Sequence, residues 1–136
     1  MFMLGGKTIS WSSKKQPIVA LSLTEAEYKV LSHATCEAVW MNKLLSDLQV
    51  QHDRFVLLCD NMSSIYLAKN PMFHARSKHI EVQYHFVREK VLSKEVDIMH
   101  INTEWQVANI FTKLMDTIKL RRFIYVMNLK EICSSA

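Results

Sequence analysis

The run Phe55-Val56-Leu57-Leu58-Cys59, closed by Asp60, constrains this chain more than any other stretch. Five apolar residues with no polar alternate predict a strand buried on both faces, as in a parallel sheet covered by helices. Residues that must be covered need a core to cover them. With 136 residues, 49% hydrophobic and 22% charged, the chain can supply one in a single domain. Two glycines and two prolines leave little room for linkers, and no internal repeat is visible.

The elements around that strand follow from local patterns. Residues 1–4 and 7–13 are short β-prone runs parted by Gly5-Gly6, which predicts a hairpin. The opening Met1-Phe2-Met3-Leu4 resembles the end of a strand begun elsewhere. A helix is expected over 23–48, with Val30, Leu31, Ala34, Ala38, Met41, Leu44, Leu45 and Leu48 at helical spacing. Two overlapping capping boxes mark its start, Ser22-x-x-Glu25 and Thr24-x-x-Glu27. After Asp60, Asn61-Met62-Ser63-Ser64 opens a short helix that stops at Asn70-Pro71. A longer helix is expected over 76–93, with Ile80, Tyr84, Val87 and Val91 on one stripe. Glu95 to Ile101 reads as a strand. Thr103-x-x-Gln106 predicts a helix through Met115, and Leu120, Phe123, Ile124 and Met127 predict a last one over 118–132. The order of hairpin, helix, strand, helices, strand and helix specifies an α/β domain with a mixed sheet.

Composition narrows the function classes. A net charge of +4 and a pI near 9.0 fit a nucleic-acid partner without requiring one. The three cysteines, Cys36, Cys59 and Cys133, share no metal-ligand spacing and point to free thiols in a reducing compartment. No stretch has the length of a membrane span, and the first residues lack a signal peptide's basic region. An intracellular protein, nuclear or cytoplasmic, is therefore expected. No zinc spacing, Ser-His-Asp or Cys-His arrangement, or glycine-rich phosphate loop is legible. Trp11, Trp40 and Trp105 are expected to pack inside, and Cys36 and Cys59 to act as small buried hydrophobes.

Two acids stand out. Asp60 lies where a strand ends and a helix begins, the sheet edge at which open α/β proteins bind ligands. It reads either as a ligand-facing carboxylate or as a cap for the next helix. Glu27 either closes the Thr24 box or, if Ser22 and Glu25 make the cap, is released from capping. Metal-assisted phosphodiester hydrolysis needs several carboxylates converging on one point, because Mg²⁺ takes octahedral oxygen donors.

Five ordered motifs sharpen this reading. They are Ile9-Ser10-Trp11-Ser12-Ser13-Lys14-Lys15-Gln16, Ser22-Leu23-Thr24-Glu25-Ala26-Glu27-Tyr28, Leu58-Cys59-Asp60-Asn61, Lys78-His79-Ile80 and Ile110-Phe111-Thr112-Lys113. Together they resemble the ribonuclease H domain of copia-type retrotransposon Pol polyproteins. The resemblance implies a ribonuclease H-like mixed sheet with flanking helices. It also implies Mg²⁺-dependent cleavage of the RNA strand of RNA–DNA hybrids, with four acids around two metal ions. On the matching positions, Glu27 and Asp60 fall on two of these acids and would be the metal ligands. A third is replaced by Asn109. The fourth belongs to a first, central strand upstream of the hairpin, which is missing here. Residues 1–115 would then be a truncated ribonuclease H-like domain and 116–136 a C-terminal helical tail.

These departures set the expectations. Asparagine offers a carbonyl oxygen but no charge. Asp116 is two helical turns, about 10 Å, beyond Asn109 on the expected helix, and Glu104, Glu81 and Asp97 offer no replacement. Activity should be impaired and Mg²⁺ binding weak or absent. Without the central strand, the hairpin closes onto the Asp60 strand, another protein chain donates a strand, or the chain folds poorly. The stretch His74, Arg76, Lys78, His79, Arg88 and Lys90 either tracks nucleic-acid phosphates, with Arg76, Lys78, His79 and Arg88 as contacts, or is a solvated helix face. The rival to an impaired nuclease is a non-catalytic nucleic-acid- or protein-binding module derived from the element. A decayed reading frame without a role is a third reading.

Overall fold

The computed structural model describes residues 1–14, 19–20, 22–70 and 78–129, less the side chains of 78–81. In chain order the elements are strands β1 (Phe2–Leu4) and β2 (Lys7–Ser10), helix α1 (Leu23–Asp47), strand β3 (Phe55–Cys59), helices α2 (Met62–Lys69) and α3 (Lys78–Leu92), strand β4 (Val96–His100) and helix α4 (Thr117–Val126). Two 3₁₀ helices, Thr103–Trp105 and Val107–Phe111, precede α4. The chain divides into two compact units, Val19–Glu104 and Met1–Ile18 with Trp105–Ala136.

In the 19–104 unit, Ser22 sets the start of α1. Its backbone is extended and its Oγ accepts the Glu25 amide at 3.1 Å, so the first of the two capping boxes forms. The helix buries Tyr28, Leu31, Ser32, Thr35, Ala38, Met41 and Leu45. The expected stripe is therefore rotated, and Val30, Leu44 and Leu48 are exposed. Counting apolar residues alone misses Thr35, whose hydroxyl donates to the Leu31 carbonyl at 2.8 Å and enters the core already satisfied. Tyr28 meets Tyr84 of α3 with ring centroids 4.1 Å apart.

β3 and β4 pair in parallel, from Phe55 opposite Val96 to Cys59 opposite His100, with α2 and α3 in the crossover. The expected burial on both faces is corrected. Phe55, Leu57 and Cys59 are buried, whereas Val56 and Leu58 are 43% and 50% exposed. All three helices of this unit pack on the pair, and they cover one face. The opposite face stays open to solvent at Val56, Leu58 and Met99. On the covered side Tyr28, Ala38, Val87, Val96 and Ile98 are almost fully buried.

The second unit starts with the predicted hairpin. Gly5 and Gly6 have φ of 56° and 73°, the consecutive left-handed pair of a tight two-residue turn. β2 ends at Ser10, short of the expected 13. Beyond it the Ser13 hydroxyl donates to the Phe111 carbonyl at 3.3 Å and Trp11 stacks on Phe111, drawing the chain away from the ladder. The helix expected from Thr103 through Met115 is absent. Asn102 Oδ1 takes the Glu104 amide at 2.9 Å, and extended backbone at Gln106 then separates two short 3₁₀ turns. α4 begins where Asp116 accepts the Lys119 amide at 2.8 Å, and it buries Phe123, with Met127 buried just beyond its end. The part of the expected last helix beyond 129 lies outside the described residues, as does Cys133. The Thr8 hydroxyl donates to the Met127 carbonyl at 3.3 Å and ties the hairpin to the end of α4.

A single mixed sheet does not form among the described residues. β1 and β2 make one antiparallel pair and β3 and β4 one parallel pair, because no described strand joins them. The tryptophans also depart from expectation, with Trp11, Trp40 and Trp105 at 62%, 55% and 57% exposure. Cys36 is an exposed free thiol, while Cys59 is buried as expected. No helix among the described residues is long and apolar enough to cross a membrane.

Candidate functional site

The end of β3 resolves the two readings of Asp60. The residue that caps α2 is Asn61, whose Oδ1 accepts the Ser64 amide at 3.0 Å. Asp60 is thus excused from capping. It is half-buried, and its Oδ2 accepts a hydrogen bond from the Thr103 hydroxyl at 3.0 Å. Glu27 lies one turn into α1, also half-buried, beside the fully buried Tyr28. The start of α1 is held in place by Ser64, which is itself buried and donates through its hydroxyl to the Thr24 carbonyl at 3.2 Å.

Cys59 lies within the electrostatic reach of both acids. Burial pushes its thiol above the ordinary cysteine value, and the hydrogen bond from Sγ to the Asn61 carbonyl at 3.6 Å opposes that. The negative charges of Glu27 and Asp60 both push it further up. Asp60 is the next residue along the chain and Glu27 reaches the sulfur electrostatically from α1.

Among the described residues no group of three or more His, Cys, Asp or Glu side chains could hold a metal ion. Mg²⁺ requires about six oxygens in octahedral array. Glu27 and Asp60 supply two carboxylates, and one Asp60 oxygen already accepts from Thr103. Asn109 belongs to the other unit, half-buried on the 3₁₀ helix Val107–Phe111, where its carbonyl accepts the amides of Thr112 and Lys113. The alternative acids have other roles or positions. Asp116 caps α4, Asp97 accepts its neighbour's amide and lies 3.9 Å from Lys69, and Glu104 is exposed. The side chain of Glu81 lies outside the described residues.

Of the basic stretch, His74 and Arg76 lie outside the described residues. Lys78 and His79 open α3, with side chains likewise outside. Arg88 donates from Nη2 to the Asn70 carbonyl at 2.8 Å, tying α3 to the end of α2. Lys90 sits 2.9 Å from Glu95 and 3.5 Å from Glu89. That pairing raises the Lys90 pKa and lowers that of Glu95. Sequence reasoning missed Thr103 and Ser64 as the residues that fasten the two acids. The signal for the cap was present, since Asn61 with Ser64 three residues on is an N-cap pattern in its own right.

Comparison with known proteins finds relatives among transposon polyproteins. Over 115 residues, 85% of the chain, it is 41% identical to the retrovirus-related Pol polyprotein from transposon TNT 1-94 of Nicotiana tabacum. Over 121 residues, 88% of the chain, it is 41% identical to the retrovirus-related Pol polyprotein from transposon RE2 of Arabidopsis thaliana. The homologues of this chain are transposon Pol polyproteins. It spans 8–9% of the length of these curated relatives. A stretch of 41 residues is also 61% identical to the secreted RxLR effector protein 161 of Plasmopara viticola, covering 29% of that protein. No family profile and no solved structure matches the chain.

Proposed function

We propose that the chain is a ribonuclease H-derived segment of a copia-type Pol polyprotein whose Mg²⁺-dependent cleavage of RNA–DNA hybrids is impaired. The observation that carries this reading is the homology to Pol polyproteins together with Asp60 at the end of a parallel strand, excused from capping, and Glu27 on the neighbouring α1, whose start Ser64 ties to α2. The two acids lie in the motifs Ala26-Glu27-Tyr28 and Cys59-Asp60-Asn61, which align with the family's metal ligands by resemblance. Asn109 stands where the family has a third acid. Two carboxylates do not balance the four positive charges of two Mg²⁺ ions, so no hydrolytic step is assigned to these residues.

The deciding experiment is a cleavage assay on a labelled RNA–DNA hybrid with and without Mg²⁺. Turnover at the level of a protein-free control is expected. Robust Mg²⁺-dependent turnover that disappears in Glu27→Gln or Asp60→Asn overturns the impairment. A second reading is favoured by the same short donor set. A non-catalytic nucleic-acid-binding module needs no cation cage, and its hybrid binding survives both substitutions.

A further inference from the structure

Charge is distributed unevenly between the two units. Residues 1–18 and 105–136 hold eight lysines and arginines against two acids, a net of +6. Residues 19–104 hold nine against eleven acids, a net of −2, so the whole-chain excess of +4 comes from the first unit alone. Bases of the acidic unit are drawn into ion pairs, Lys29 with Glu25 at 2.8 Å and Lys90 with Glu95 at 2.9 Å. In the basic unit Lys113 and Arg121 are solvent-exposed.

The same unit displays aromatic rings. The Arg122 guanidinium lies 4.3 Å from the centroid of the half-exposed Trp105 ring. Trp11 lies nearly parallel to Phe111, at 5° and 6.5 Å, and is also more than half exposed. The 3₁₀ helix carrying Phe111 packs on α4, which carries Arg122, so both ring pairs belong to one chain of contacts.

We infer that the described residues of this basic unit, 1–14 and 105–129, carry a nucleic-acid contact surface centred on Trp105. The inference rests on the nucleic-acid reading proposed above and names the part of the chain that makes the contact. Two features favour a nucleic acid. Concentrated positive charge attracts phosphates and releases their counterions. Half-exposed rings stack on unpaired or terminal bases. A second copy of this chain is a poor occupant, because it would bring two surfaces of +6 together.

The test uses the full chain and a fluorescein-labelled RNA–DNA hybrid with a single-stranded overhang, followed by anisotropy across a salt series. Trp105→Ala weakens binding by about tenfold or more, and Trp105→Phe retains most of it. The pair Lys113→Gln with Arg121→Gln, both exposed, flattens the slope of log affinity against log salt by about one per lost phosphate contact. Removing the same charge from the acidic unit, with Lys43→Gln and Lys94→Gln, changes affinity less than about twofold. If the hybrid binds but only Arg88→Gln weakens it, this inference falls and the nucleic-acid reading stands. If the parent chain shows no salt-dependent binding, both fall. Competition by polyglutamate as effective as unlabelled hybrid at equal charge also overturns the nucleic-acid assignment. Should Trp105→Ala not fold, the exposed double variant and Trp105→Phe decide.

Discussion

The two units solve different problems with the same kinds of residues. The 19–104 unit is one contiguous stretch with long helices, a parallel strand pair and a core of almost fully buried side chains. The other is assembled from both ends of the sequence, with short strands, 3₁₀ turns and three-residue ladders, and it leaves tryptophans in solvent. Its burial is concentrated at Phe123 and Met127. The acidic unit packs Tyr28 against Tyr84 but also exposes Trp40 and Tyr66, so the units differ less in displayed rings than in charge, −2 against +6. A net charge taken over the whole chain averages away this difference, which is why it says so little about partners.

The largest effect should fall on the well-packed unit. Ile98→Ala removes a fully buried side chain from β4 and should cost about 2–5 kcal/mol, read from urea unfolding. Leu58→Ala lies on the open face of the neighbouring strand and should stay within about 0.5 kcal/mol. Equal losses at the two sites would erase the one-sided description of this sheet. A smaller effect probes the other unit. At Gly6, φ is +73° and a Cβ would meet nothing within 4 Å, so Gly6→Ala isolates the backbone cost, about 1–2 kcal/mol. Amide exchange should quicken over 2–10 and leave 55–59 and 96–100 protected. Loss of protection in β3 and β4 would show that the contrast between the units is overdrawn.

The smallest effect appears only at alkaline pH. Burial raises the Tyr28 hydroxyl pKa, with the Tyr84 hydroxyl adding to the rise, and that hydroxyl donates to the Tyr84 carbonyl at 3.5 Å. Its folded value therefore lies above the unfolded one, near 10. The stability this contributes is complete below about pH 10 and is lost as pH rises beyond it. Tyr28→Phe should flatten the decline of melting temperature above that pH and alter it little at neutrality. An unchanged alkaline profile in the variant would remove Tyr28 from the account.

What the sequence revealed was local. Gly5-Gly6 specified the hairpin because few other pairs take two positive φ angles in succession. Ser22 marked the start of α1, Pro71 the end of α2, and the apolar run at 55–59 a parallel strand. The misreadings share a cause in what lies far away along the chain. Whether β3 is covered on one face or two depends on where the helices dock, which its five residues do not encode. Trp11, Trp40 and Trp105 look like core residues until their neighbours are known. The Thr103-x-x-Gln106 box was overridden by a distant competitor, Asp60 drawing the Thr103 hydroxyl, with Asn102 nearby accepting the Glu104 amide. For the candidate site, Glu27 and Asp60 were legible as acids. Their fastening was not, because it depends on Ser64 and Thr103.

The hydrogen bond from Thr8 to Met127 spans 119 positions of sequence, and this sets an order in time. During synthesis the 19–104 unit has all its residues before Met127 is added, and its hydrogen bond from Tyr28 to Tyr84 spans only 56 positions. Domains fold as units, N-terminal first, and distant contacts are the slower ones to form. The basic unit therefore has to wait, with Phe2, Met3 and Leu4 in the nascent chain long before α4 exists. A ribosome-stalled chain carrying, after residue 104, a linker long enough to clear the exit tunnel should already protect β3 and β4, and extension past Met127 should be needed before the hairpin gains its tie to α4.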